Sequence, residues 1–151
     1  MVGGMPTEPQ RSPGGPVPPS SDRTLALRVV TMPRDTNHYG TIFGGVILSY
    51  IDQAGFVEAR RHALCRWVTA AIDRVEFKAP VQLGDIVNFY TLTTRKGRTS
   101  VTVRVEVEAE RNSDGVHVPV TAATLVMVAI DDRGMPIPVF EGAPPPSPAK
   151  L

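Results

Sequence analysis

Two hydrophobic periodicities divide the chain. From Gly44 to about Ala63 it runs without proline, and Val46, Ile47, Leu48, Ile51, Ala54 and Phe56 surround most of a helical wheel rather than marking one stripe. That pattern predicts one long, buried helix, and the small residues Ala54, Gly55 and Ala59 let a sheet or a second helix approach its backbone. After Arg66 the period changes to two. Val101, Val103, Val105 and Val107 alternate with Thr102, Arg104, Glu106 and Glu108, which predicts a strand with one buried and one wet face. The same reading gives strands over Trp67 to Phe77, Ile86 to Arg95 and Ser100 to Glu110, and a nearly uninterrupted apolar strand from Val118 to Ile130, expected at the centre of the sheet. Turns are expected at Gly84-Asp85, Lys96-Gly97-Arg98, Asn112 to Gly115 and Asp131 to Gly134. Ahead of the helix, Thr24 to Met32 reads as a short edge strand that ends at Pro33, and a loop from Pro33 to Phe43 carries Asp35, Asn37 and Gly40 as turn formers.

Strand, long helix, then four strands joined by short turns predict an α+β domain, an antiparallel sheet of about five strands packed on one dominant helix. One helix covers only part of such a sheet, so self-association as a dimer or a dimer-based oligomer is expected to hide the remaining apolar surface. At 151 residues the chain suits one domain. Residues 1–23 contain six prolines with several Gly and Ser, and 141–151 contain a Pro144-Pro145-Pro146 run, so folding is expected over residues 24–140 with a disordered tail on either side.

Charge and cysteine content narrow the partners. A formal net charge of +1 gives no clustered basic excess for nucleic acid or an anionic membrane surface. Ser49, Asp52, Gln53 and Glu58 interrupt the longest apolar run below the roughly 18 residues of a membrane span. The first residues lack the apolar core of a signal peptide, and the single Cys65 excludes an internal disulfide, so a cytoplasmic protein is expected. No Cys/His spacing resembles a metal site.

The candidate chemistry centres on Asp52, a carboxylate two turns inside an apolar helix, where desolvation is costly without a function or a partner. The helix opens on Gly44-Gly45, whose missing Cβ atoms let a ligand reach main-chain N–H groups that have no partner within the helix. Asn37 and Asp35 read first as turn residues, with Asn37 also within reach of a ligand or water. Arg95, Lys96 and Arg98, with Thr99 and Ser100, form a hairpin tip that is either solvated or suited to phosphate oxygens. His62 and Cys65 are three residues apart, but a dipole-facing His and a core Cys explain them without a nucleophile pair. His38 has no evident partner, and His117 lies in a hairpin.

Met32-Pro33, Asp35-Thr36-Asn37, Gly40, Ile42-Phe43-Gly44-Gly45, Ile51-Asp52 and Ala54-Gly55 form a combined pattern. Phe77, Pro80-Val81, Gly84-Asp85 and Gly97-Arg98-Thr99-Ser100 extend it, so that it spans Leu27 to Pro138. This pattern resembles the hotdog-fold acyl-CoA thioesterases of the broad-specificity bacterial type. The resemblance implies a sheet wrapped around the central helix, a dimeric unit that often assembles further, and an active site at the subunit interface. It implies that Asp52 is catalytic, as general base on a water or as nucleophile, and that amides at Gly44 and Gly45 polarise the thioester carbonyl. Asn37, Thr41, Phe43, Arg98, Thr99 and Ser100 are the expected substrate contacts. No cofactor or metal is implied, because coenzyme A is part of the substrate. One departure stands at Thr41, where the family often carries Asp or Asn; a hydroxyl cannot act as a base at neutral pH. The alternative is therefore a module that binds or senses acyl-CoA with little catalysis. A hydratase of the same fold lacks a His/acid pair in this sequence.

Overall fold

The computed structural model describes residues 22–140. Its organising strand is β4 (Ser100–Glu110), in which Val101, Val103, Val105, Val107 and Ala109 are buried while the alternate residues face outward. It is the middle of a five-stranded antiparallel sheet. The order is β1 (Thr24–Val30), β3 (Ile86–Lys96), β4, β5 (His117–Ile130), β2 (Arg66–Asp73). The helix α1 (Gly44–Arg60) touches all five strands, so the sheet curls around it. It buries Ile47, Ile51, Ala54, Gly55, Glu58 and Ala59. Phe89, Leu125, Ile47 and Ile51, all essentially without solvent contact, sit at the helix–sheet junction, each contributing about 1.5–3 kcal/mol. The small residues act as expected: a Cβ built on Gly55 would lie 3.0 Å from Leu125 Cδ2, so the helix axis lies close over β5.

Several expectations need correction. β5 is interior but one place from the centre, which β4 occupies. β2 stops at Asp73 rather than Phe77; beyond it the chain leaves the ladder, keeping only Thr121 Oγ1 on Glu76 O (2.7 Å) and Lys78 N on Val120 O (2.8 Å). The helix ends at Arg60, with the amide of the capping residue Arg61 turned back onto Ala59 and Glu58 carbonyls, rather than at Ala63. The expected tails lie outside the described residues except for Asp22 and Arg23. Arg23 does not belong to a tail: its guanidinium binds Glu106 Oε2 at 2.8 Å and lies 3.8 Å over the Tyr90 ring.

The Gly84-Asp85 turn ties the loops together. Asp85, 1% exposed, accepts hydrogen bonds on Oδ2 from Gln82 N (2.8 Å) and Arg111 Nη1 (2.6 Å) and on Oδ1 from Asn112 N (3.1 Å). Its carbonyl accepts Thr31 N and Thr31 Oγ1, both at 3.0 Å. One residue thus joins the end of β1 through its carbonyl, and the entry to β3 and the β4–β5 hairpin through its carboxylate. Among the described residues, no helix is long and apolar enough to cross a membrane.

Candidate active site

Burial on α1 follows from which side faces the sheet. Ile51 is fully buried, and Asp52, one residue or about 100° further round, is exposed. The expectation of a buried Asp52 is therefore wrong for the single chain, because the sheet does not close over that side of the helix. Gly45, Ser49, Asp52 and Phe56, at helical spacings of four, three and four, form one open stripe. The buried carboxylate of the helix is Glu58, 8% exposed, which accepts Thr91 Oγ1 on Oε2 (2.9 Å) and Thr93 Oγ1 on Oε1 (2.8 Å). Nothing singled it out in the sequence, although its spacing of seven from Ile51 and four from Ala54 places it on the buried stripe.

Asp52 has a specific partner. The Thr69 hydroxyl, on β2, donates to Asp52 Oδ1. Thr69 Oγ1 also touches Met127 Sδ at 3.3 Å, but its one proton goes to the carboxylate, so the sulfur contact is packing. Asp52, Gln53, Phe56, Trp67, Val68, Thr69 and Met127 line an open recess between helix and sheet edge. Sequence reading missed Thr69: seventeen residues separate it from Asp52, and no local pattern marks it.

The start of α1 is open. Phe43, the N-cap, supplies no side-chain hydrogen bond; its amide donates to Asp35 O (3.0 Å), and its carbonyl accepts Val46 N (3.0 Å). The amides of Gly44 and Gly45 have no acceptor among the described residues. A Cβ on Gly45 would meet nothing within 4 Å, whereas one on Gly44 would sit 3.4 Å from the Phe77 ring. The loop before the helix is held by Asn37, whose Oδ1 accepts Tyr39 N (2.9 Å) and Thr41 N (3.1 Å) and whose Nδ2 donates to Thr41 Oγ1 (2.8 Å). Asn37 and Thr41 are thus engaged with each other, while the Thr41 hydroxyl proton remains free to donate. Asp35 accepts Met32 N at 2.9 Å, a turn role.

The hairpin tip lies at the same end of the sheet as the Asp52–Thr69 pair. Thr69, Met127, Val101 and Lys96 form one cross-strand row, and Ser100 pairs with Val128 in the next. Arg98 is exposed and its carbonyl accepts Val139 N (2.9 Å). Ser100 is half-buried, and Thr99 is only 7% exposed with its carbonyl on Ala129 N. Of the residues expected to suit phosphate, Arg95, Lys96 and Arg98 face solvent openly, whereas Thr99 and Ser100 do not. His62 Nε2 lies 2.8 Å from Thr93 Oγ1. Because that hydroxyl gives its proton to Glu58, His62 Nε2–H donates to it, and Cys65 is not the partner of His62. Burial, and secondarily Lys96, lowers the His62 pKa, against an opposing pull from Glu58; burial raises that of Cys65. His38 stacks on Tyr39 (3.9 Å), and His117 Nδ1 binds Glu108 Oε1 (3.0 Å). Among the described residues, no group of three or more His, Cys, Asp or Glu could hold a metal ion.

Comparison with known proteins places this arrangement in a family. The model of the thioesterase superfamily matches residues 39–116, just over half the chain. An uncharacterized acyl-CoA thioester hydrolase of Zymomonas mobilis is 39% identical over 114 residues, 76% of this chain and 76% of that protein. The acyl-CoA thioester hydrolase YciA of Salmonella typhimurium is 36% identical over 118 residues, 76% of this chain and 89% of that one. Among solved structures, a hexameric hotdog fold thioesterase of Campylobacter jejuni superposes with a TM-score of 0.73 at 43% identity, covering 78% of this chain and 90% of its own. Matched by the family model across the helix and three of the strands, and by relatives across three quarters of its length, the chain belongs to the thioesterase superfamily as an acyl-CoA thioester hydrolase of the hotdog fold.

Proposed function

We propose that the enzyme hydrolyses acyl-CoA by using Asp52 as general base on a water, with helix-start amides of a second copy holding the oxyanion. The Thr69 hydroxyl on Asp52 Oδ1 carries this reading: it fixes the carboxylate and leaves Oδ2 free to take the water proton. The resulting hydroxide adds to the thioester carbon, the carbonyl electrons move to the oxygen, and collapse expels coenzyme A thiolate. The thiolate takes up the proton, and the products are a free acid and coenzyme A. Unpaired N–H groups at Gly44 and Gly45 stabilise the charge that develops on the oxygen.

The helix geometry supports a site shared between chains. Gly45 and Asp52 lie on the same stripe, but seven residues of helix separate them by about 10 Å, too far for one carbonyl to be held at the first and attacked by the second directly. Two helices laid antiparallel on their open stripes bring the Gly45 of one beside the Asp52 of the other. Exposed Phe56 on the stripe, Val68 and Ile72 on the open edge strand β2, and Phe77 in the segment after it supply the apolar surface for that contact. The hexameric assembly of the Campylobacter jejuni protein supports self-association here. Arg98 at the hairpin tip suits the coenzyme's phosphates. The reaction draws on no group beyond the substrate itself, and the cytoplasm, where acyl-CoA is made and used, is its proposed location.

The test is thiol release from a panel of acyl-CoAs. The wild-type enzyme releases thiol, and Asp52→Ala loses about 10²–10⁴-fold in kcat. Unchanged kcat in the variant removes Asp52 from the chemistry.

A further inference from the structure

Past β5 the chain folds back and meets the hairpin tip between β3 and β4. Asp131 makes the return: its amide donates to Met135 O at 2.9 Å, and its Oδ1 accepts Arg133 N and Met135 N, both at 2.9 Å. Residues 136–140 then run as a strap beside the end of β5, starting from a bridge between Ile130 and Pro136. Ala129 joins tip and strap, its amide donating to Thr99 O and its carbonyl accepting Ile137 N, each at 2.9 Å. At the tip, Arg98 O accepts Val139 N (2.9 Å) and Phe140 N (3.3 Å), and Gly97 N donates to Ser100 O (2.8 Å). The Phe140 ring is seated between two elements. It meets His62, just past α1, edge-on at 5.5 Å, and the Lys96 ammonium lies 5.5 Å from its centre. A hairpin tip is ordinarily among the more mobile parts of a fold. Here residues 97–99 each carry a main-chain bond, and of the three only Arg98 is exposed.

We propose that this strap positions the coenzyme contact, with Phe140 as its positioning residue: seated against His62 and Lys96, it pins the backbone of Arg98 so that the guanidinium stands ready for the coenzyme's phosphates. The proposal rests on the reading of Arg98 as the phosphate contact. A guanidinium on a free tip gives up backbone and side-chain freedom when it binds, whereas one on an anchored tip gives up side-chain freedom alone, so anchoring raises affinity without adding a contact. Phe140 acts through Arg98 and touches neither the thioester nor the attacking water. Its effect therefore falls on binding of the phosphate-bearing part of the substrate, which moves KM and leaves kcat in place.

Steady-state kinetics on butyryl-CoA and on butyryl-pantetheine, which keeps the thioester but has no phosphate, tests this with wild type, Phe140→Ala, Phe140→Leu, Arg98→Ala and the Phe140→Ala/Arg98→Ala double variant, with thermal melting to check folding. Phe140→Ala is expected to raise KM for butyryl-CoA about tenfold at unchanged kcat, the order of one hydrogen bond to a charged group, and to leave KM for butyryl-pantetheine as it was. Phe140→Leu, which fills the seat without a ring face, shifts KM the same way by less, and it carries the test if Phe140→Ala does not fold. The double variant is expected to show the KM of Arg98→Ala alone, because the two residues act as one unit. An unchanged KM in folded Phe140 variants, a KM that rises equally for both thioesters, or effects that multiply in the double variant overturn the proposal. If Arg98→Ala handles butyryl-CoA as wild type does, the phosphate reading and the proposal fall together, while loss of thiol release in Asp52→Ala leaves the catalytic reading standing. Absence of thiol release from both thioesters in wild type overturns the catalytic reading and the proposal with it.

Discussion

A single hydroxyl decides what Asp52 can do. Without Thr69 the carboxylate would rotate freely at the surface; with it, one oxygen is engaged and the other, in the proposed mechanism, takes the water proton. Thr69→Ala is expected to lower kcat by about 10- to 100-fold, the range of a hydrogen bond to a charged group, with KM little changed. Thr69→Ser should retain most of the activity and Thr69→Val little, and steady-state kinetics on one acyl-CoA separates the three. A second residue-scale prediction concerns pH. Burial and Lys96 lower the pKa of His62, so the folded state resists its protonation. A base with a depressed folded pKa stabilises the protein above its unfolded value of about 6.5, and that stability is lost as pH falls through the folded pKa. Urea unfolding should show stability declining from pH 7 to pH 5, and His62→Gln, which can still donate to Thr93, should flatten the decline. The exposure of Asp52 was not legible in the sequence. Leu48, Ile51 and Phe56 beside it are apolar while Ser49 and Gln53 are polar, and only the position of the sheet says which side is covered.

The elements were legible where pattern and packing coincide. The alternation of β4 matches its buried and open faces residue by residue, because an interior strand with partners on both sides must follow the pleat. β2 was read too long. Val75 and Phe77 continue the strand composition, but the chain has turned from β5 to bring the Phe77 ring beside Gly44 at the helix start, and composition does not record that departure. The helix C-terminus was overshot because no Pro or Gly stops the run before Ala63, and it is the return of the Arg61 amide onto Ala59 and Glu58 carbonyls that ends it. The turn at Asp85 was expected, its role as a hub was not: Arg111 and Asn112 are remote in sequence. Asp85→Ala strands a half-buried guanidinium and two backbone amides, and a loss of about 3–5 kcal/mol in unfolding free energy is expected by denaturant titration.

At the scale of the whole molecule, the proposed mechanism puts both halves of the chemistry on one open stripe of a single helix, about 10 Å apart, so one chain does not bring them together. The family pattern over Met32 to Gly55 made the fold and the thioesterase activity legible, since its glycines and its carboxylate are demanded by backbone approach and by proton transfer. The helix predicted from Gly44 already placed Gly45 and Asp52 about 10 Å apart, but the sequence could not show that both lie on the stripe the sheet leaves open. The most direct test mixes two damaged chains. Asp52→Ala removes the base, and Gly45→Pro removes one oxyanion donor at a position where added atoms meet open space. Each variant alone should be nearly inactive. After the two are unfolded together and refolded in equal amounts, a shared site predicts thiol release at about a quarter of the wild-type rate, because half of the pairs are mixed and each has one intact site. Release no greater than that of the two separate variants would contradict the account.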